Sequence, residues 1–370
     1  MSDPSPPTTL TPMQEALALA RAAIGLTEPN PRVGCVIVAP DGRTIGRGHT
    51  QQAGGPHAEV MALRDAAANG ESVQGATVYV TLEPCAHHGR TPPCCDALVA
   101  AKVGRVVMAI EDPFPLVAGQ GAERLRAAGI EVIAGDEAEA AHELNIGFFS
   151  RVQRGRPWVR LKSAVSLDGR SALNNGKSQW ITGEAARTDG HAWRKRASAV
   201  LTGVGTVLDD DPRLDVRLVE TPRQPLRVVV DSRLETPPTA RILELPGHVL
   251  VVAARPDAAR EAALRERGAE IVFVPGPNGK VDLPALLKQL AERGINELHV
   301  EAGHKLAGSF VREGLADEYL VYLAPKLLGI GRELASFGSL ERLEDGPDLH
   351  FVDVSPVGDD LRLIARPRHG

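Results

Sequence analysis

Three short segments in the first 95 residues carry side chains that bind zinc. His57 is followed two residues later by Glu59, and the thiols of Cys85 and Cys94 lie further along the chain. One imidazole and two thiolates can hold Zn²⁺ while a fourth tetrahedral position stays open to water, which is the arrangement of a catalytic site. Zinc lowers the pKa of that water, and Glu59 can shuttle its proton to a leaving group. The pattern predicts a hydrolytic zinc centre.

The spacing is close to the H-x-E…P-C-x-x-C signature of zinc deaminases. It departs from it because eight residues, rather than two, separate Cys85 from the next thiol. The alternative is a closed zinc site that only joins loops, for which His87 or His88 can supply the fourth ligand. We favour the open site because the sequence offers no obvious further thiol nearby to serve as the fourth zinc ligand. We interpret Cys95 and Cys35 as small buried apolar groups.

Alternating helical and extended patterns predict the elements that position this cluster. Such alternation is typical of a layered α/β domain. The predicted helices cover residues 13–25, 57–69, 94–102, 123–128 and 137–149, and the predicted strands cover residues 33–38, 44–48, 76–82, 105–110 and 130–133.

A basic segment that contains Gly and Pro, residues 151–157, is typical of an exposed linker. It divides the chain into predicted domains at 1–150 and 158–370. No internal repeat is detectable, and the second domain also reads as an α/β unit. Its predicted strands cover residues 158–164, 199–202, 226–231, 248–253, 270–274, 297–301 and 318–323.

Length and composition narrow the functional class. A chain of 370 residues is long enough for about two domains. Its net charge of −5, without a basic run, argues against a nucleic-acid partner. The sequence has no apolar run of about 18 residues and no signal-peptide pattern at its start, so we expect no membrane association and a cytoplasmic location. Four cysteines are too few and too clustered for a disulfide framework.

The longer motifs around the zinc-binding residues resemble the bifunctional riboflavin-biosynthesis deaminase/reductase family. They are Pro29–Pro31 with Val33–Cys35, Pro56–Glu59, and the run from Thr81 to Cys95. The resemblance implies a cytidine-deaminase-like three-layer αβα domain. It also implies hydrolytic deamination of 2,5-diamino-6-(5-phosphoribosylamino)pyrimidin-4-one, with Glu59 as proton donor and acceptor. Carried over by position, the zinc ligands are His57, Cys85 and Cys94.

Further polar residues near these motifs are candidates for contact with this substrate. A ribose phosphate needs a cation and hydrogen-bond donors, so we expect His87 and Arg90 to face it. Asn30 and His49 are candidates for reading the ring and the ribose, with an ordinary turn or loop role as the alternative.

The second domain lacks the usual dinucleotide-binding motif. Residues 203–208 begin the G-x-G-x-x-G fingerprint but end in Leu208, and residues 303–309 have the outer spacing of a phosphate loop without its lysine. One geometric signal remains. The predicted strand 297–301 runs into a glycine-containing turn that opens a helix, whose N-terminus can hold a cofactor pyrophosphate.

Several segments of this half resemble the reductase of the same family, whose fold is similar to dihydrofolate reductase. They include Leu161–Lys162, Ser166–Arg170, Ser178–Thr182, Thr206–Pro212 and Ala324–Gly329. The resemblance implies NADPH-dependent reduction at ribose C1′, which gives 5-amino-6-(5-phosphoribitylamino)uracil. By position, NADPH would contact Ala164, Trp180, Thr206, Asp210, Ser232, Gly303, His304, Lys305, Leu306, Ala307, Gly308 and Ser309, and the substrate would contact Ser178, Arg194, Leu214, Arg217 and Glu301.

These substrate assignments have a physical basis. Arg194 and Arg217 can pair with a phosphate, and Glu301 can accept hydrogen bonds from ribose hydroxyls or ring N–H groups. Two positions depart from the family pattern: Phe114 replaces a commonly polar residue, and Ala302 replaces a second glycine. The methyl group of Ala302 can hold the cofactor slightly away from the backbone.

Two alternative functions fit parts of the pattern. One is a nucleic-acid base deaminase with an accessory domain, which the acidic balance disfavours. The other is a binding module in which zinc only stabilises the structure, without catalysis, and in which Glu59 would have no role. The family resemblance also suggests a homodimer or homotetramer.

Overall fold

The computed structural model describes residues 10–86, 92–114, 118–244 and 246–368. The chain divides into two compact units, Met1–Arg154 and Gly155–Gly370. Within the described ranges, no helix has both the length and the apolar character needed to span a bilayer.

The first unit is a five-stranded sheet between two layers of helices. Strands β1 and β2 form an antiparallel hairpin, β3 pairs antiparallel with β1, and β3, β4 and β5 are parallel, which gives the order β2-β1-β3-β4-β5. The elements are α1 (Pro12–Ala22), β1 (Gly34–Val38), β2 (Thr44–His49), α2 (Ala58–Ala68), β3 (Thr77–Val80), α3 (Cys94–Ala100), β4 (Arg105–Met108), α4 (Gln120–Ala127), β5 (Glu131–Ala134), α5 (Ala138–Leu144) and α6 (Ile146–Arg154).

Alternate residues of each strand enter two different cores. Ile37 packs in a cluster with residues of α2, α3 and α4, whereas its neighbour Val36 packs with residues of α1 and α5. Successive strand side chains point to opposite faces, so one sheet buries both layers. The expected three-layer αβα architecture is confirmed.

Close contact between the hairpin and α2 fixes the helix that carries His57 and Glu59. A Cβ atom at Gly46 or Gly48 would lie 2.4 Å from a carbonyl oxygen of α2, that of Ala62 or Ala58 respectively. These positions leave no room for a side chain, so glycine lets the strand and helix backbones touch. The N-terminus of α2 is thereby held against β2.

The second unit is built on a nine-stranded sheet with the order β11-β10-β9-β8-β12-β6-β13-β16-β15. Seven strands are parallel, while β16 and β15 add an antiparallel edge, and β7 pairs separately with β14. The strands are β6 (Trp158–Ser166), β7 (Arg170–Leu173), β8 (Ala199–Gly203), β9 (Leu226–Val230), β10 (Val249–Ala253), β11 (Glu270–Phe273), β12 (Glu297–Val300), β13 (Glu318–Ala324), β14 (Gly331–Glu333), β15 (Leu349–Val357) and β16 (Asp360–Pro367).

The helices of this unit connect successive strands of the parallel sheet. In such sheets, ligands bind outside the carboxyl ends of the strands. The helices are α7 (Glu184–Arg196), α8 (Val204–Asp210), α9 (Ala258–Glu266), α10 (Leu283–Glu292) and α11 (His304–Arg312).

Some predicted elements differ from the structure. The single helix predicted over 137–149 is two helices, because the Asn145 side chain accepts from the Arg32 N–H at 2.8 Å and donates to the Arg32 carbonyl at 2.9 Å. Residues 151–154, assigned to the linker, continue α6, where the Arg154 guanidinium bonds the Ser150 hydroxyl one turn earlier. Strands β7, β14, β15 and β16 had no predicted counterpart, because none of the four has a continuous apolar run.

Candidate active sites

The three predicted zinc ligands come together in the first unit. His57 is the residue before α2, Cys94 is the first residue of α3, and Cys85 lies in the loop after β3. The His57 Nδ1 atom is 3.2 Å from the Cys94 Sγ and 3.6 Å from the Cys85 Sγ, and all three ligand atoms lie within 4.8 Å of one another. One imidazole and two thiols at these separations fit a tetrahedral zinc ion with an open position.

The two thiols of the cluster are hydrogen-bonded to each other. A hydrogen bond from Cys94 lowers the pKa of Cys85 to about 4, whereas donation of that bond raises the pKa of Cys94. The Cys94 backbone N–H also donates to the Cys85 Sγ at 3.3 Å. Cys85 is therefore the more readily ionised of the two thiols, and both must be deprotonated to bind zinc.

Glu59 lies in the first turn of α2 and is only 3% exposed. Burial, followed by the charge of Cys85, raises the pKa of Glu59 to about 7. A carboxyl group with such a pKa can both hold and release a proton near neutral pH, which a proton shuttle requires.

The other two cysteines lie outside this cluster. Cys95 directs its thiol to the Pro84 carbonyl oxygen at 3.1 Å, and burial raises its pKa to about 12. Cys35 is completely buried in β1, and burial raises its pKa well above the ordinary value. Both side chains are buried protonated thiols, as we expected.

The predicted substrate residues of this half are only partly described. His87 and Arg90, together with His88, lie outside the described residues. Asn30 occupies the turn before β1, where its N–H donates to the Thr27 carbonyl at 2.9 Å. His49 ends β2, with its Nδ1 atom 3.1 Å from the Thr50 carbonyl oxygen. Their roles toward substrate remain predictions.

The second unit contains a cavity of about 1760 Å³ at the carboxyl ends of its central parallel strands. Its walls include the ends of β6, β8, β9 and β12 and the first turn of α11. The predicted cofactor and substrate residues that line it are Ala164, Ser178, Trp180, Arg194, Thr206, Asp210, Leu214, Arg217, Ser232, Glu301, Gly303, His304, Lys305, Leu306 and Ser309.

Two predicted cofactor residues do not line this cavity. Ala307 is completely buried in the core below α11. Gly308 packs against the backbone of Ser336, where a Cβ would lie 1.9 Å from the carbonyl oxygen. Residues from 304 onward form a helix, and its 3.6-residue period turns this pair toward the core. Their contact with the cofactor stays a prediction.

Polar contacts involve several of the predicted cofactor residues in the cavity. The Thr206 hydroxyl accepts from the Gly303 N–H at 3.0 Å, which joins the start of α8 to the start of α11. The Ser178 hydroxyl donates to the Asp210 carboxylate at 3.1 Å. Trp180 is 61% exposed, and the Arg187 guanidinium lies 4.8 Å from its ring centroid. These contacts leave the Trp180 ring available to stack on a planar ligand.

A compact charge cluster in the cavity contains Arg194 and Glu301, two of the predicted substrate residues, together with Lys162. An Nη atom of Arg194 is 2.9 Å from one Glu301 carboxylate oxygen, and the Lys162 Nζ atom is 3.5 Å from the same oxygen. Burial tends to raise the pKa of Glu301, but the Arg194 and Lys162 cations outweigh it and hold this pKa well below the usual range. Arg194 and Glu301 thus bind each other, and their contact with the substrate stays a prediction.

Arg217 is the more accessible of the two predicted phosphate-binding arginines. Its side chain is 46% exposed and contacts the Asp215 carboxylate at 2.6 Å. Leu214, three residues before Arg217, has a left-handed backbone with φ of 53° and is 4% exposed. Of the two predicted phosphate-binding arginines, Arg194 is therefore the more buried and Arg217 the more exposed.

Two cavity residues, Lys162 and His191, and the nearby Asp215 received no role from the sequence. Lys162 belongs to the Leu161–Lys162 motif, but the same strand also contains Arg160, so no local pattern singled it out. His191 lies on α7 and Asp215 follows α8, where no local pattern marks them. Their proximity to Arg194 becomes visible only in the folded chain.

The stability of the second unit should depend on pH through His191. Burial, followed by the Arg194 and Arg217 cations, lowers the pKa of His191 to about 4. Because the unfolded chain binds the proton near pH 6.5, this group costs stability as pH falls from 6.5 to 4, up to about 3 kcal/mol. We expect the free energy of unfolding of the wild type, relative to that of His191→Gln, to decrease as the pH is lowered from 6.5 to 4. A difference that is flat with pH would contradict the assignment.

Comparison with known proteins covers both halves. The family model "RibD C-terminal domain" matches residues 157–363, and the model "Cytidine and deoxycytidylate deaminase zinc-binding region" matches residues 8–110. The riboflavin biosynthesis protein RibD of Escherichia coli (strain K12) is 47% identical over 364 residues, which cover 95% of this chain and 97% of that protein. RibD of Aquifex aeolicus (strain VF5) is 43% identical, covering 95% and 96%.

Solved structures agree with these sequence matches. Acinetobacter baumannii RibD, form 1, superposes with a TM-score of 0.87 at 43% identity and covers 97% of this chain and 98% of its own. A diaminohydroxyphosphoribosylaminopyrimidine deaminase/5-amino-6-(5-phosphoribosylamino)uracil reductase from Thermotoga maritima gives a TM-score of 0.86 at 36% identity, covering 96% and 98%. The expected two-domain deaminase and reductase fold is confirmed.

Proposed function

Because this chain belongs to the RibD family of riboflavin biosynthesis, we propose which of its residues carry out the family's two reactions. The protein is a bifunctional enzyme with Zn²⁺ and NADPH as cofactors. It deaminates 2,5-diamino-6-(5-phosphoribosylamino)pyrimidin-4-one and then reduces the ribosyl chain to a ribityl chain. The observation that carries the residue assignment is the cluster of His57, Cys85 and Cys94 with the buried Glu59 beside it.

We assign deamination to residues 1–150 and reduction to residues 158–370, with 151–157 as the connection. The family matches at 8–110 and 157–363 and the division of the chain after Arg154 support this assignment. The match of the second half to a RibD reductase also favours this function over a nucleic-acid deaminase with an accessory domain.

His57, Cys85 and Cys94 would hold zinc, which when bound supplies a Lewis acid that activates water for attack on the pyrimidine ring. Glu59 accepts a proton on its carboxylate and donates it to the departing amino group. Its pKa near 7 suits both transfers at neutral pH. Asn30, His49, His87 and Arg90 are proposed to bind the substrate in this half.

In the second unit, NADPH when bound would supply the reducing equivalent for ribose C1′. The first backbone N–H groups of α11 have no partner within the helix, so they can bind the cofactor pyrophosphate. The contact between Thr206 and Gly303 holds this helix end in place. The remaining proposed cofactor contacts are Ala164, Trp180, Asp210, Ser232, His304, Lys305, Leu306, Ala307, Gly308 and Ser309.

The substrate of the reductase is proposed to lie between Ser178, Leu214 and the charge cluster. Arg217 is the exposed cation available to the phosphate. Glu301 stays ionised beside Arg194 and Lys162, and this fixed set of charges orients the ribose toward the cofactor.

Removal of zinc is expected to separate the two activities. Dialysis against a chelator should abolish ammonia release from the diaminopyrimidinone, because the cluster can then no longer activate water. NADPH oxidation with 5-amino-6-(5-phosphoribosylamino)uracil should persist, and added Zn²⁺ should restore deamination. Undiminished ammonia release from protein shown by elemental analysis to lack zinc would refute the assignment.

A homodimer or homotetramer in the cytoplasm is our proposal for the state of the enzyme in the cell. Phe351 and Val354 on edge strand β15 are 67% and 54% exposed, and apolar exposure of this kind is typical of an interface. The molar mass in solution of the double variant Phe351→Asp/Val354→Asp, against that of the wild type, tests this proposal.

A further inference from the structure

Glu83 is a buried carboxylate with no part in the chemistry described above. It lies two residues before Cys85 and is 3% exposed. Its backbone N–H donates to the Ile110 carbonyl at 2.9 Å, so it continues the pairing of β3 with β4. A buried carboxylate is costly unless hydrogen-bond donors surround it. The hydrogen-bond donors to the two Glu83 carboxylate oxygens indicate the structural role of this side chain.

Three backbone N–H groups from one segment donate to this carboxylate. One oxygen accepts from Asp112 at 3.2 Å and from Gly119 at 3.0 Å, and the other accepts from Ala122 at 3.1 Å. Gly119 precedes α4 and Ala122 lies in its first turn, where N–H groups lack helical partners and a negative charge is favoured. Glu83 thus anchors the N-terminus of α4 and also binds the chain just after β4.

The loop that carries Cys85 is held against the same helix. A Cβ at Gly121 would lie 2.0 Å from the Pro84 carbonyl oxygen, so α4 packs directly on this loop. The Cys95 thiol donates to the Pro84 carbonyl at 3.1 Å, and the Arg124 guanidinium donates to the Ala86 carbonyl at 3.1 Å. The backbone on both sides of Cys85 is therefore fixed by α3 and α4.

We propose that Glu83 is a positioning residue of the deaminase, which anchors α4 so that the packed loop directs the Cys85 Sγ toward the metal. The inference rests on the proposed function, since it concerns the same zinc site. Groups that orient metal ligands commonly change metal affinity or activity 10- to 100-fold when altered, whereas a residue that only stabilises the fold leaves the metal environment unchanged.

The test compares Glu83→Gln with Glu131→Gln, a control on exposed strand β5 whose carboxylate pairs with Arg105 at the surface. Glutamine turns a donor group toward N–H donors and so removes part of the anchor. We expect Glu83→Gln to bind zinc roughly 10- to 100-fold more weakly in chelator competition. The visible absorption bands of the cobalt-substituted protein should also shift. The kcat of ammonia release should fall while NADPH oxidation is unchanged, and the control should match the wild type.

Unaltered zinc affinity and cobalt bands in Glu83→Gln would overturn the inference, even if the variant melted at a lower temperature. Should Glu83→Gln fail to fold, Arg124→Gln provides a milder test of the contact between α4 and the loop that carries Cys85. The Arg124 side chain is 47% exposed, so its replacement should disturb the fold less. We expect it to weaken zinc binding a few-fold, and unchanged affinity would count against the proposal. A wild-type protein that neither binds zinc nor releases ammonia would instead refute the proposed function itself.

Discussion

Glu59→Gln is expected to slow ammonia release roughly 10²- to 10⁴-fold, the usual contribution of a general acid–base group. The amide has nearly the same shape as the carboxyl group, but it cannot take a proton from water and return it to the leaving amino group. The buried position of Glu59 in α2 leaves space for an isosteric side chain only, so the fold should be retained. Ammonia release, zinc content and NADPH oxidation should be measured on the same preparation.

The zinc content of this variant should equal that of the wild type, since His57, Cys85 and Cys94 are unchanged. Glu71→Gln is a matched control, because Glu71 follows α2 and pairs with Arg43 at the surface. Reduction should continue at the wild-type rate in both variants. A Glu59→Gln protein that still deaminated normally would favour a zinc site that only joins loops.

Arg194→Ala is expected to have the opposite profile, with reduction falling roughly 10²- to 10³-fold and deamination unchanged. Removal of the guanidinium leaves the Glu301 carboxylate, 12% exposed, with Lys162 at 3.5 Å and the His299 ring at 3.4 Å. Loss of one member of a buried ion pair typically costs about 2–5 kcal/mol. We expect this cost to appear in kcat/KM for NADPH oxidation, because the charges that orient the ribose are rearranged.

The same substitution should destabilise the second unit by about 3–5 kcal/mol, so a further variant is needed to separate activity from folding. Arg194→Lys keeps the positive charge but loses the planar fork, and it should keep the fold with reduction still clearly impaired. Arg293→Ala, which breaks the surface pair with Glu270, should leave both activities unchanged. Loss of deamination as well as reduction in Arg194→Lys would show that the two sites do not act independently.

The elements that carry the zinc site could be predicted closely from the sequence. Helix α2 and strand β3 have strong local signals, with a regular apolar pattern in each and Gly70 after the helix. Such signals depend on neighbours along the chain, so the positions of His57 and Cys94 at helix starts were foreseeable. The edge hairpin of β15 and β16 was missed, because a strand at a sheet edge needs no continuous apolar run.

The sequence by itself determined the donor set of the metal site, since the residue types and their motif spacing specify a catalytic zinc centre. Only the tertiary structure decided that Glu301 is bound to Arg194, that Ala307 faces the core, and that Glu83 caps α4. The two pairings join residues 107 and 39 positions apart, and the burial of Ala307 depends on which side of a helix faces the core. Burial and pairing of this kind arise from how the elements pack against each other, which no local pattern in a single sequence encodes.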